Sequence, residues 1–169
     1  LLSRRQRQMC IREDTNKNSV NLFAEALGEL ISPTDYARTV KVELSHIGID
    51  SCGITLKDAS GLSPANAVPA EVFTDLLIWA KGHLSDAFVS SLPRGNVDWG
   101  LRVYSDHPVL RENVIAKTGS MSGVRALAGY LKNQKGETLA FTILVNNYVG
   151  DPVKVQEIIR DLLKDIADK

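Results

Sequence analysis

Lys117-Thr118-Gly119-Ser120 brings a fixed cation, two hydroxyls and a flexible backbone position together in four residues. Lysine supplies the charge, and glycine lets a second backbone lie close against the chain. Far upstream, Ser19-Val20-Asn21 places a hydroxyl and a carboxamide at the entrance of an apolar periodic segment. Each cluster has a plain structural explanation when taken alone. Lys-Thr-Gly suits a strand running into a polar turn, and Ser-x-Asn suits an N-cap serine followed by a polar helix residue. Taken together, they pose the question of which elements could make them meet.

Those elements follow from the hydrophobic pattern. Residues 1–18 are polar and charged without a clean period, and Asn16-Lys17-Asn18 is a loop signal. Leu22, Phe23, Ala26, Leu27, Leu30 and Ile31 recur at helical spacing, with Asn18 or Ser19 expected as the cap. Ser32-Pro33-Thr34-Asp35 opens a second helix, with Tyr36, Val40, Leu44 and Ile47 on one face and Gly48 as its stop. Ile54-Thr55-Leu56 is a short extended piece entering a loop of small residues, Asp58 to Asn66. Pro69 opens a third helix carrying Val72, Phe73, Leu76, Leu77 and Ala80. A brief helix is expected over Asp86 to Leu92, and residues 93–113 read as irregular.

Three strands follow, over Val114 to Thr118, Val124 to Lys132 and Thr138 to Asn146. The third is apolar nearly throughout, which predicts a strand buried on both faces between helices. Asp151-Pro152 starts a last amphipathic helix with Val155, Ile158, Ile159, Leu162, Leu163 and Ile166 on its apolar face.

Composition excludes several partners. Apolar residues make up 44% of the chain, enough for a core, and the 20 basic and 20 acidic residues cancel. No net charge marks a nucleic-acid or anionic-membrane binder. The local run Arg4-Arg5-Gln6-Arg7 reads as a solvated face. No apolar run approaches the ~20 residues of a membrane span. Cys10 and Cys52 read as two buried thiols by default, with pairing in an oxidising compartment open. His46, His83 and His107 lack metal-ligand spacing and read as surface or cap residues. Trp79 and Trp99 read as packing residues, Ser60 and Ser63 as turn formers. Arg125 reads equally as an exposed strand residue or as a group reaching a substrate carboxylate.

The sequence resembles the class C low-molecular-mass penicillin-binding proteins, the D-alanyl-D-alanine carboxypeptidases and endopeptidases. Four stretches carry the resemblance: Asn18 to Leu27 with its Ser-x-Asn; Gly48-Ile49-Asp50 running to Asp58-Ala59-Ser60-Gly61-Leu62-Ser63-Pro64-Ala65-Asn66; Ala116 to Ser120 with Gly123-Val124; and Leu127-Ala128-Gly129-Tyr130 through Ala140-Phe141 to Asn146-Asn147. The sequence departs from the family pattern in reading Ser-Val-Asn where Ser-Asp-Asn is usual. Asp98-Trp99-Gly100-Leu101 also stands where an Asp-Gly-Thr-Leu-like turn is usual.

The resemblance implies a serine β-lactamase/DD-peptidase-like α/β (α+β) fold, incomplete here: an antiparallel sheet with helices on both faces. Residues 1–169 would form its C-terminal part. It implies hydrolysis of a D-Ala-D-Ala amide through a serine ester, with Ser19, Asn21 and Lys117 catalytic and Thr118, Gly119 and Ser120 binding substrate. Ser19 would shuttle a proton, Asn21 bond the substrate carbonyl, Lys117 hold the field positive, and Thr118 and Ser120 take the terminal carboxylate. The Ser120 N–H would be one oxyanion donor.

No metal or organic cofactor is implied. The implied partners are peptidoglycan stem peptides, β-lactams and the remainder of the same protein upstream, with peripheral membrane association open. An extracytoplasmic or periplasmic location is implied. No serine in the chain has lysine three residues later, so the Ser-x-x-Lys nucleophile is expected upstream of Leu1. Three alternatives remain: a non-catalytic binder of cell-wall peptides or a partner protein, a serine β-lactamase-type hydrolase, and a cysteine hydrolase using Cys52 with His46.

Overall fold

The computed structural model describes residues 3–169, with backbone only for residues 4–9. The expectations for Leu1, Leu2 and the side chains of Arg4 to Arg7 therefore fall outside the described residues. The elements run α1 (Arg4–Lys17), α2 (Asn21–Ile31), α3 (Tyr36–His46), α4 (Ala70–His83), α5 (Asp86–Ser91), a 3₁₀ helix (Trp99–Tyr104), α6 (Pro108–Asn113), β1 (Val114–Met121), β2 (Val124–Lys132), β3 (Thr138–Asn146) and α7 (Pro152–Ala167).

The sheet is antiparallel in the order β1-β2-β3. Alternation of side chains sorts its residues onto two faces. Val114, Ala116, Leu127 and Leu131 bury against Ile159, Leu163 and Ala167 of α7 and against Leu101, Tyr104 and Leu110. On the opposite face, Tyr130, Ile115, Ala128 and Ala140 pack with Leu77 of α4 and Leu92. The Tyr130 hydroxyl donates to the Leu77 carbonyl at 2.6 Å, which pairs the only polar atom of that buried ring. A third, smaller cluster joins Leu44, Ile49, Ile54 and Val72 beneath the loop.

Helices on both sheet faces are as the sequence predicts. The α2, α3, α4 and α7 helices and all three strands fall where hydrophobic periodicity places them. Three expectations are corrected. Residues 4–17 form a helix although they lack an apolar stripe: Arg, Gln, Met, Glu and Lys are good helix formers. Asn16 then ties the helix to α5 through Ser91 Oγ at 2.8 Å.

Residues 93–113 are not irregular. They hold the 3₁₀ helix and α6, whose Leu101 and Leu110 are fully buried. Their apolar positions are too few and too interrupted by Gly and Pro to show a period. Lastly, β3 is half-buried rather than enclosed, because it forms an edge of the sheet among the described residues.

Gly129 sets the β1–β2 spacing. It lies opposite Ala116, and a Cβ there would stand 2.2 Å from the Ile115 carbonyl oxygen and 2.6 Å from Ala116 Cβ. Backbone cannot yield by that much without moving the strand that carries Lys117. Gly129→Ala is expected to destabilise the fold by about 3 kcal/mol in urea unfolding. Gly82→Ala, near the end of α4 with open space around the added methyl, should be neutral or stabilise by about 0.5 kcal/mol.

Candidate active site

The outer edge of β1 is covered along its first half only. The Ala116 N–H donates to the Pro93 carbonyl at 2.9 Å, and the Gly95 N–H donates to the Val114 carbonyl at 3.1 Å. Backbone groups of an antiparallel strand point alternately to either side. Those of Val114 and Ala116 point outward, so those of Thr118 and Ser120 do too. The covering segment stops at Ala116, and the edge from Lys117 to Ser120 is left open. An extended chain could lie against it, with the Ser120 N–H facing the visitor.

Lys117 projects from the α4 side of this edge. Its Nζ donates to Ser19 Oγ at 2.6 Å and to the Thr118 carbonyl at 2.7 Å. The Ser-x-Asn and Lys-Thr-Gly clusters therefore meet. Ser19 does not cap α2 as expected: Val20 occupies the cap position, without a side-chain cap bond. Ser19 instead takes φ of +53°, the left-handed region that a non-glycine residue enters at a cost of about 1–2 kcal/mol. That conformation accompanies a hydroxyl turned from the helix end toward the lysine.

Asn21 is the first residue of α2 and is exposed. Its carboxamide has no hydrogen-bond partner among the described residues. Thr118 and Ser120 lie on the other face of β1, with Gly100 behind Thr118. A Cβ on Gly100 would stand 3.4 Å from Thr118 Oγ1. Gly119 is exposed, and a Cβ there would press on Ala126 at 3.2 Å.

The Asp58–Asn66 loop supports α2. Glu25 of α2 accepts from the Ser60 N–H at 2.9 Å and the Ala59 N–H at 3.3 Å. The Ser60 hydroxyl bond is the main cause holding the Glu25 carboxyl below its ordinary range. Gly28 makes the approach possible, since a Cβ there would stand 2.6 Å from Ala59 Cβ. Within the loop, Asp58 accepts from Asn66 Nδ2 at 2.8 Å and from the Gly61 N–H at 2.7 Å, and also from the Ser63 N–H. Burial alone would raise the Asp58 pKa, but these donors outweigh it and hold it low. Ser60 and Ser63 thus serve the loop as turn and docking groups.

Other expectations change. Cys10 and Cys52 are unpaired and exposed, not buried thiols. No hydrogen bond links Cys52 to His46, whose nearest charged partner is Glu43 at 3.6 Å. Trp79 does pack, stacked on His83 with centroids 4.9 Å apart. Trp99 does not: it is 81% exposed at the start of the 3₁₀ helix, next to the glycine that backs Thr118. Arg125, left between two readings by the sequence, lies opposite Ser120 and donates to its hydroxyl. The two-residue Ser122-Gly123 turn was the available signal, because it fixes that register.

Lys117 is half-buried, and desolvation lowers its pKa below the ordinary 10.5 of lysine. Between the folded and unfolded values the unfolded chain binds more protons. Stability contributed by this group therefore rises as pH increases through that window. Unfolding free energies of the parent and of Lys117→Met, measured in urea from pH 8 to 10.5, should show the parent gaining on the variant as pH increases.

Residues 10–168 match the model of the D-Ala-D-Ala carboxypeptidase 3 (S13) family. The chain is similar to a D-alanyl-D-alanine carboxypeptidase of Actinomadura sp., at 39% identity over 135 residues, covering 76% of this chain and 25% of that protein. It is also similar to D-alanyl-D-alanine carboxypeptidase DacB of Haemophilus influenzae, at 33% identity over 150 residues, covering 80% of this chain and 31% of that protein. Among solved structures it resembles penicillin-binding protein 4 (dacB) of Haemophilus influenzae complexed with a β-lactam. That match has a TM-score of 0.86 at 28% identity and covers 95% of this chain and 41% of the other. An extended-spectrum β-lactamase shares the fold, with a TM-score of 0.76 at 18% identity. The chain spans about a quarter to a third of the length of the curated relatives it matches.

Proposed function

Because this chain belongs to the D-Ala-D-Ala carboxypeptidase 3 (S13) family, we propose that it is the C-terminal part of a serine D-Ala-D-Ala carboxypeptidase/endopeptidase acting on peptidoglycan peptides. The observation that carries this reading is the 2.6 Å bond from Lys117 Nζ to Ser19 Oγ beside an open strand edge. A hydroxyl held by a desolvated cation is a good proton relay, and the free edge is a natural bed for an extended peptide.

Position supports the following roles. A serine outside this chain attacks the carbonyl between two D-alanines, forming an ester and breaking the C–N bond. Ser19 passes a proton to the departing amine. Lys117 accompanies that transfer by keeping the field at Ser19 positive. Asn21, its carboxamide unpaired among the described residues, bonds the acyl side of the substrate. The outward N–H of Ser120 stabilises the oxyanion, a contribution of about 3 kcal/mol. Thr118 and Ser120 hydroxyls bind the terminal carboxylate across Gly119. Water then hydrolyses the ester and frees the serine. The reading places the protein outside the cytoplasm, with the rest of its own chain as its first partner and stem peptides and β-lactams as its ligands.

The test is mass spectrometry after exposure to benzylpenicillin. The 169-residue chain is expected to stay unmodified, whereas a longer protein carrying this chain and a Ser-x-x-Lys should gain one acyl adduct. An adduct on the 169-residue chain would overturn the role assignment, and no adduct on the longer protein would favour a non-catalytic binder. In the longer protein, Ser19→Ala should lower kcat about 10²- to 10⁴-fold, the usual yield of a positioned proton donor.

A further inference from the structure

Trp99 is 81% exposed, and Val97, in the turn just before it, is 73% exposed. The backbone beneath them is nonetheless tied down. The Arg94 N–H donates to Asp98 Oδ2 at 2.7 Å, and the Arg94 carbonyl accepts from the Asp98 N–H at 2.9 Å and the Val97 N–H at 3.2 Å. Just after Trp99, Leu101 is fully buried and Tyr104 nearly so. The indole is therefore held in water by an anchored backbone, not left there by a loose one. Apolar rings gain by leaving water, so an anchored, exposed indole marks a contact surface.

Its place in the chain says what that contact is. Residues 93–95 cover β1 while running away from Lys117: Pro93 bonds Ala116, and Gly95, two residues on, bonds Val114. The chain then reverses through the turn closed by Arg94 and Asp98. It returns along the face of β1 that carries Thr118 and Ser120, with Leu101 and Tyr104 packed in the core beneath. Gly100 arrives behind Thr118, where an added Cβ would stand 3.4 Å from Thr118 Oγ1. Trp99 precedes that glycine by one step, about 3.8 Å of backbone. An indole is longer than that step, so Thr118 and the open edge lie within its reach.

We infer that Trp99 is a specificity-determining residue that offers an apolar surface to the side chain of the residue released at this edge. It favours a leaving D-amino acid whose aliphatic side chain is longer than the methyl of alanine. This rests on the peptidase reading above, in which the last residue of the peptide lies at Thr118 and Ser120. A methyl group covers little of an indole, whereas a straight four-carbon side chain lies along it and takes both surfaces out of water. Lys117, on the opposite face of β1, takes no part in that contact. The consequence is a tilt from trimming terminal alanine toward releasing bulkier residues.

The experiment uses the longer protein that carries this chain and two peptides, N-acylated D-Ala-D-Ala and N-acylated D-Ala-D-norleucine, both with a free carboxylate. The unsubstituted protein should favour the norleucine peptide by about 10-fold in kcat/KM, the low end of what an added methylene gains in an apolar pocket. Trp99→Ala should raise KM for the norleucine peptide by about 10-fold with kcat little changed, the mark of lost binding rather than lost chemistry. Its cost on the alanine peptide should stay below about 3-fold. Trp99→Phe should keep most of the preference.

Equal losses on both peptides, or no loss on either, would overturn the inference. So would an unsubstituted protein without the preference, a result that does not depend on how any variant folds. In each of those cases the alanine peptide is still cleaved and the peptidase reading stands. If the unsubstituted protein cleaves neither peptide, that reading fails and this inference falls with it.

Discussion

A lysine ammonium drawn partly out of water must find acceptors, and this one finds two oxygens and, among the described residues, no carboxylate. One of them, Ser19 Oγ, comes from the other end of the chain. Lys117 therefore constrains the entrance of α2 as much as it constrains its own strand. Ser19 takes a backbone conformation disfavoured for a side chain with a Cβ, and the helix begins two residues later. Such strain persists only where surrounding contacts outweigh it. Here Glu25 and Gly28 clamp α2 to the Asp58–Asn66 loop, and Asn16 ties α1 to α5. The loop resembles a family signature, yet among the described residues it makes no hydrogen bond to the lysine. Its physical task is to hold the helix whose first turn carries Ser19 and Asn21.

The sheet divides the work between its faces. Odd-numbered positions of β1 look toward α4, where Lys117 meets Ser19; even-numbered positions look toward α7 and the 3₁₀ helix, where Thr118 and Ser120 meet Gly100 and Arg125. On the proposed reading, a ligand at the strand edge would touch both sets at once. The same edge is closed upstream by residues 93–95, so the open length is set by where that segment turns away. Gly129 fits this arrangement. Its missing Cβ keeps β1 and β2 close at Ala116, next to Lys117, so the strand cannot shift without moving the lysine.

Much of this was legible in the sequence, for reasons that can be stated. The β2 and β3 strands and the α2, α3, α4 and α7 helices have long apolar periods, and the two motif clusters are defined by residue type. What was not legible lacks a period or depends on tertiary choice. The α1 helix is mostly polar and lacks an apolar stripe, so its helicity was to be read only from propensity, with tertiary ties such as the bond to Ser91. The 3₁₀ helix and α6 are too short for a pattern, although Leu101 and Leu110 are among the most buried side chains. Ser19 has the composition of a cap, and only the fold decides that its hydroxyl serves a lysine instead. Trp99 reads as core by residue type, yet it is exposed beside the residue that backs Thr118.

Whole-molecule charge and local charge point in different directions here. The chain carries equal numbers of acidic and basic residues, so its net charge offers no pull on an anionic ligand. On the proposed reading, attraction would be local, and Lys117 and Arg125 are the cations beside that strand edge. Both cations are half-buried, and charges in that setting are screened by salt far less than exposed ones. A cation held in that setting needs little reorganisation when an anion arrives. Electrostatic preorganisation of that kind also requires that no nearby carboxylate neutralise the pair, and none among the described residues forms a salt bridge with either.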